Sequence, residues 1–235
     1  MAGIVVDSRR AIWLVETRTV AVADTHFGHG WVERQRGLLL PVPPTEEGGL
    51  GRIAQLIWDY EPARLVVVGD VVHASRNLPA LEAECRKLVS LCEVAQTELV
   101  LVLGNHDRGL PRQLESWGMT ARCEPEFRDG RFHFLHGDEP PRTVDGGPGG
   151  SGGFRIVGHE HPSITLRGNA NRCARCPSFL LGESVLVLPA FTERAAGCDV
   201  GRGRFLGPVA SEARFRFAVA CVGDRLLRLP WPLPE

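Results

Sequence analysis

Aspartates and histidines in this sequence collect where apolar runs end. TVAVAD ends on Asp24, with His26 two residues on, and LVVVGD ends on Asp70, with His73 beyond it. LVLVLGNHD carries Asn105, His106 and Asp107, RFHFLHGD carries His136 and Asp138, and FRIVGHEH carries His159 and His161. Six of the eight histidines (His26, His73, His106, His136, His159, His161) lie just beyond such runs, where random placement would scatter them. Carboxylate, imidazole and amide oxygen without thiolate suit borderline or hard divalent cations, with Mn2+ foremost and Fe2+ or Zn2+ as alternatives. Asp24, His26, Asp70, Asn105, His136, His159 and His161 are seven candidate ligands, whereas one catalytic ion needs about three protein ligands and an open position. Two divalent metal ions sharing one bridging carboxylate would use them all. Asp24, Asp70 and a bridging hydroxide would not cancel the charge of two such ions, so the site would attract a phosphate.

The elements before these clusters must bring them together. Gly69, Gly104 and Gly158 directly precede the polar residues, where a missing side chain permits positive φ and close backbone approach. Between the first three runs, Leu50, Ile53, Leu56 and Ile57, then Leu78, Leu81, Cys85, Leu88 and Cys92, recur at helical spacing. The chain therefore begins as βαβαβ, with continuously apolar strands as expected where both sheet faces are covered. Later strands, including VLVLPAF, have few helical stretches between them, so the sheet becomes mixed or a second sheet packs on the first. In open α/β sheets, ligands bind beyond the carboxyl ends of the strands. On extended backbone, i and i+2 face one side, so Asp24 with His26, and His159 with His161, are each expected to reach one cavity. Gly146 to Gly153 (GGPGGSGG) reads as a flexible insertion at about 144–153 within one domain over 1–235, because the polar clusters on its two sides belong to one site.

Composition bounds the alternatives. With 235 residues, 43% of them hydrophobic, the chain can bury a substantial core. Its 27 basic and 28 acidic residues nearly cancel, so an anionic ligand must be attracted locally. The opening MAGIVVDSRRAIWLVE is interrupted by Asp7, Arg9 and Arg10 and does not read as an export signal. No run reaches the roughly eighteen apolar residues of a membrane span. A cytoplasmic protein with no membrane partner is expected, its seven cysteines reduced. Cys173 and Cys176 form one CxxC, but no second pair completes a zinc site, so they read as half-buried thiols in a loop.

Taken in order, DTH, GD, GNHD, HG and GHEH resemble the calcineurin-like metallophosphoesterase superfamily, whose signature is D-x-H, G-D, G-N-H-[DE], H and G-H-x-H. The resemblance implies an α/β fold of two packed, mainly mixed β-sheets flanked by helices, a four-layer sandwich. It implies a first metal on Asp24, His26 and His161, a second on Asn105, His136 and His159, and Asp70 bridging both. His106 would be the general acid at the leaving-group oxygen, with Asp107 orienting it. The flanking ERQRGLLLPVPPT, GDVVH and LPAFTERAAGCDV look like the bacterial and archaeal ligase-associated DNA damage response endonucleases, typically encoded near a DNA ligase and a helicase. Many phosphoprotein phosphatases of the superfamily carry GDxxDRG. Here GDVVHAS puts His73 in place of that Asp, which disfavours protein phosphatase activity.

The implied function is hydrolysis of a phosphate ester by a metal-bridging hydroxide, foremost as a phosphodiesterase or nuclease acting on DNA. A small-molecule phosphatase or cyclic nucleotide phosphodiesterase would use the same site. An inactive metal-binding scaffold would be expected to lack ligands or the GNHD histidine, and none is lacking. Water on such a metal has a pKa near about 7, and an acid at His106 would add roughly 10²- to 10⁴-fold. His73 and Arg108 are candidate substrate contacts. Arg34, Arg36 and Arg112 could hold flanking phosphates, although a solvated charged face is the commoner reason for such arginines. His29 and His133 read as structural or exposed. Asp138 reads as holding the turn after His136, or as bonding behind the ligands.

Overall fold

The computed structural model describes residues 3–35, 37, 49–74, 79–142, 153–168, 173–195 and 197–233. Among these, fifteen strands form two sheets. The first sheet has the order β1 (Ile4–Asp7), β2 (Ala11–Leu14), β3 (Thr19–Ala23), β4 (Arg64–Val68), β5 (Glu98–Val102), β6 (Arg122–Glu124). Its first three strands pair antiparallel and β3 to β6 pair parallel. Parallel neighbours need crossovers, supplied by α1 (His29–Gln35), α2 (Gly49–Tyr60), α3 (Pro79–Val94) and α4 (Leu110–Ser116).

The central strands β3, β4 and β5 are apolar almost throughout because both faces are buried. Val20, Val22, Leu65, Val67, Leu99 and Leu101 pack under the helices, against the Leu50, Ile53, Leu56 and Ile57 stripe of α2 and the Leu81, Cys85, Leu88 and Cys92 stripe of α3. Their alternate residues, Ala21, Ala23, Val66, Val68, Val100 and Val102, face the second sheet. The helical spacing read from the sequence is thus a buried stripe in both helices, and Leu78 lies outside the described residues.

The second sheet comprises β7 (Glu126–Asp129), β8 (Phe132–Leu135), β9 (Phe154–Val157), β10 (Pro162–Arg167), β11 (Cys173–Gly182), β12 (Val185–Val187), β13 (Cys198–Asp199), β14 (Phe215–Val222) and β15 (Arg225–Pro230). Its central order is β11-β12-β9-β8-β7, with β8, β9 and β12 parallel and the rest of that run antiparallel. Phe132, Phe134, Ile156, Phe179 and Leu186 project toward the first sheet and close the core between them. The fold is therefore α/β, two mixed sheets face to face. The outer layers are unequal: helices cover the first sheet, while the second is covered by α5 (Pro208–Ser211), a short 3₁₀ turn and the C-terminal Trp231 and Leu233.

Cys173 and Cys176 lie on β11 rather than in a loop, one exposed and one buried, and residues three apart on a strand face opposite sides and cannot converge on one ion. The Gly-rich insertion lies outside the described residues apart from Gly153, as does most of ERQRGLLLPVPPT.

Candidate metal centre

The parallel strands β3, β4 and β5 end side by side, and beyond them lie Asp24, His26, Asp70 and Asn105. The parallel β8 and β9 end opposite, followed by His136, His159 and His161. All seven predicted ligands meet at this edge, drawn from both sheets. Their atoms form two groups. In the first, His26 Nε2 and His161 Nε2 are 3.2 Å apart, and Asp24 Oδ2 lies 3.6 Å from His161 Nε2. In the second, His136 Nε2 is 3.1 Å from both Asn105 Oδ1 and His159 Nδ1. Asp70 stands between the groups, with Oδ2 3.8 Å from His26 Nε2 and Oδ1 3.5 Å from His136 Nε2.

Divalent cations fit this donor set. Asp24, His26, Asp70 and His161 offer ligand atoms all within 4.8 Å of one another. Two ring nitrogens about 3 Å apart can share only one proton, whereas two nitrogens each about 2.0–2.1 Å from one ion stand at about that separation. His26, His73 and His106 converge in the same way within 4.8 Å.

The backbone reaches this arrangement by a route that the spacing does not disclose. Asp24, His26, Asp70, His159 and His161 all have positive φ, between 42° and 66°. The expectation of extended i, i+2 pairs is therefore corrected: both pairs converge through left-handed residues at the strand ends. Asp and His tolerate that conformation better than bulkier residues, at a cost of about 1–2 kcal/mol each. The glycines serve clearance more than flexibility. Gly69 has φ +75°, and a Cβ there would lie 1.8 Å from His136 Nδ1. At Gly104 a Cβ would come within 2.4 Å of Asp70 Oδ1, and at Gly158 within 2.6 Å of the Val68 carbonyl. Side chains that form the centre occupy the space.

Burial sets the electrostatics. It pushes the Asp70 carboxyl up to about 7, aided by the charge of Asp24 and opposed by the His106 amide, which donates to Oδ1 at 3.0 Å. Burial also depresses His26, to about 3, and His136. Asp24 resists its own burial: His161, His136 and His26 hold it below the usual carboxylate range, and its oxygens accept the His159 amide at 3.0 and 3.3 Å. Burial opposes protonation of His161, but the Asp24 partner prevails and raises it. His26 and His136, kept unprotonated, offer their lone pairs to a cation, whose charge would in turn keep Asp70 ionised.

His106 donates Nδ1–H to the His73 carbonyl at 2.6 Å, since a carbonyl can only accept, and this turns Nε2 toward Asp70 Oδ2 at 3.8 Å. Asp107 engages the backbone around it. Its wholly buried carboxylate accepts the amides of Val71 (3.1 Å), Val72 (3.0 Å) and Gly104 (2.9 Å), tying the loop after β5 to the loop after β4. Asp107 thus places His106 through the backbone. His73 stacks on His29, with centroids 4.0 Å apart, and stands 5.6 Å from the His26 ring and 5.7 Å from that of His106. His29, read from sequence as structural or exposed, therefore adjoins the centre. His133 is structural, paired with Glu126 at 3.0 Å. Arg108 and Asp138 line a cavity of about 370 Å³ beside Asn105 and His136. Arg112 lies on α4, while Arg36 and the Arg34 side chain are outside the described residues.

Sequence reasoning missed Glu160, the middle residue of GHEH. It is 1% exposed and accepts the Leu206 and Gly207 amides at 2.7 and 2.6 Å, so the loop bearing His159 and His161 is clamped to the C-terminal segment. Its signal was a carboxylate fixed between two ligands with no place among them.

A two-sheet α/β fold with an Asp and His cluster at the strand ends defines a metal-dependent phosphoesterase, a hydrolase of phosphate ester bonds. The chain belongs to the calcineurin-like phosphoesterase family, whose model matches residues 17–148, more than half of its length. It is similar to the crystal structure of Pseudomonas putida nuclease MPE, with 25% identity and a TM-score of 0.68 over 96% of this chain and 94% of that one. A protein of unknown function from Aquifex aeolicus aligns at 16% identity and a TM-score of 0.35 over 66% of this chain and 82% of that one, too distant a likeness to bear on the site. No curated protein matches the chain.

Proposed function

We propose that the chain is a two-metal phosphodiesterase that cuts nucleic acid, with Asp70 shared by both ions. The observation that carries this reading is the place of Asp70 between two donor groups, one oxygen toward each. Asp24, His26 and His161 would hold the first ion, and Asn105, His136 and His159 the second. Mn2+ suits such mixed nitrogen and oxygen ligation, as do Fe2+ and Zn2+. When bound, the ions supply positive charge to the phosphoryl oxygens and a water acidic enough to ionise near neutrality.

The chain's own residues do the rest. His106, held at Nδ1 by the His73 carbonyl, presents Nε2 to the pocket, and its protonated ring can release a proton from that atom to the leaving oxygen. Asp107 keeps the loop in place, and His73 and His29 form the adjoining wall. Arg108 borders the cavity next to Asn105, where it can meet a substrate oxygen. DNA as substrate is supported by the likeness to a nuclease over nearly the whole chain and by the endonuclease-like flanking stretches. The same stretches favour an enzyme working alongside a DNA ligase and a helicase.

The test is a substrate panel with excess Mn2+: bis-p-nitrophenyl phosphate, p-nitrophenyl phosphate, 2′,3′-cyclic nucleotides, and nicked and single-stranded DNA. Diester and DNA hydrolysis are expected. Turnover of the monoester alone would replace this reading with a small-molecule phosphatase.

A further inference from the structure

Two openings flank the centre, and they differ in charge. The cavity beside Asn105 and His136 sets Arg108 and Arg142 against Glu126, Asp138 and Glu139. On the other side, a cleft of about 170 Å³ begins at His161 and passes Arg10 and Arg175 with Glu193 as its acid. Arg10, Pro177 and Glu193 also border a larger cavity of about 860 Å³, whose wall includes Arg52. The two spaces adjoin at these shared residues, a channel-like path leading away from a predicted metal ligand. A polyanion leaving the centre meets two arginines against three carboxylates on the first side and, on the second, Arg10 and Arg175 against Glu193, then Arg9 and Arg52 with Asp7 and Asp224.

The arginines of this channel are built in. Arg10, at the β1–β2 turn, donates to the Ala190 and Thr192 carbonyls at 3.2 and 2.7 Å. Arg52 donates to the Phe191 carbonyl and lies 4.3 Å over the Phe191 ring, while its buried Nε has no hydrogen-bond partner. Their nearest acid is Glu193, 3.9 Å from Arg52 and 61% exposed. Burial first, and then the charge of Arg10, lower the Arg52 guanidinium to about 10. The carbonyls they grip belong to residues whose amides hold the end of β3: Phe191 donates to Ala23 and Thr192 to Asp24. The channel wall and the metal ligand are thus one rigid unit. Arg9, by contrast, is already engaged by Asp7 and Asp59.

We propose that this channel, from His161 past Arg10 and Arg175 to Arg52, seats the phosphates of the nucleic-acid strand flanking the bond to be cut. The inference rests on the nucleic-acid reading above and adds the path of the substrate. Guanidinium is the side chain suited to phosphate, and the path begins at a candidate metal ligand.

Arg175→Glu tests it, because Arg175 is exposed on β11 and its replacement leaves the Arg10 and Arg52 anchors in place. The readout is the ratio of kcat/KM on oligothymidylate to kcat/KM on bis-p-nitrophenyl phosphate, which is too small to reach the channel. The ratio is expected to fall about tenfold through KM, Arg175→Lys restoring most of it. The salt dependence of oligothymidylate binding should weaken by roughly 0.7 in log–log slope for each phosphate that is no longer neutralised. An unchanged ratio, or equal losses on both substrates, overturns the channel while leaving the nuclease reading intact. Wild-type enzyme that hydrolyses the small diester but never oligothymidylate overturns that reading and the channel with it.

Discussion

Replacing Glu160 with Gln tests whether the ligand loop is held from behind. The carboxylate sits between His159 and His161, is almost fully buried, and accepts one amide on each oxygen, at 2.7 and 2.6 Å. The fit is close: a Cβ on Gly207 would lie 3.1 Å from Glu160 Oε1 and 2.2 Å from the Gly137 carbonyl, next to His136. Hydrogen bonds to a charged acceptor contribute about 1.5–3 kcal/mol each, and a buried donor left unpaired costs about 1–3 kcal/mol. Glutamine keeps one acceptor and turns an NH2 group toward the other amide, so one bond is lost and two donors face each other. A loss of about 2–4 kcal/mol follows, which for a chain of this size lowers Tm by roughly 4–16 °C. Because the clamp orients two ligands, the Mn2+ concentration for half-maximal activity should rise about 10- to 100-fold, with much of the rate recovered in excess metal. Differential scanning fluorimetry and a metal titration of diester hydrolysis measure both. Unchanged Tm with unchanged metal dependence would refute the clamp. A drop in Tm alone would leave Glu160 a structural residue with no bearing on the centre.

Gly69→Ala should cost about 1–2 kcal/mol for its left-handed backbone and more for displacing His136, and elemental analysis should find the second ion depleted before the first. Adding Mn2+ at about 100 times its Kd to metal-free protein should stabilise the fold by about 2.7 kcal/mol, or roughly 5–11 °C in Tm, and a Tm indifferent to EDTA would argue against a resident ion. For pH, burial raises Asp107 from 3.8 to about 6 in the folded chain, so its protonated form favours folding below pH 4 and that contribution is lost as pH rises through 6. Metal-free wild type should therefore lose about 3 kcal/mol between pH 4 and pH 7 relative to Asp107→Asn, a difference that paired denaturant titrations would detect.

The parts of the fold legible in the sequence are those where one physical cause acts alone. Strands β3, β4 and β5 announce themselves because burial of both faces demands unbroken apolar runs, and α2 and α3 because burial of one face leaves a stripe. The seven candidate ligands are legible because metal chemistry restricts residue types at strand ends. Less visible are β1 and β2, whose charged turn residues break the pattern, and β14 and β15, which pair at the margin of the second sheet where Leu226 and Leu227 remain exposed. Glu160 and His29 escaped for another reason. Glu160 acts on a loop some 46 residues away in sequence, and His29 adjoins the centre through ring contacts with His73 and His26. Neither leaves a local periodicity.

The strained backbone explains why the centre needs both sheets. Five of its seven predicted ligands sit in left-handed conformation, each at about 1–2 kcal/mol, a total comparable to the net stability of a whole domain, about 5–15 kcal/mol. No short loop could sustain that alone. Here the sheets brace one another at these loops: Asp24 after β3 takes the His159 amide after β9, and Gly158 abuts the Val68 carbonyl of β4. The apolar packing between the sheets thus holds residues of both in a geometry that neither strand would adopt in isolation. A cation placed among them would bind most tightly when the sheets keep that spacing, so mutations in the core between the sheets, far from any ligand, should weaken metal binding more than equally destabilising mutations beneath α2 and α3.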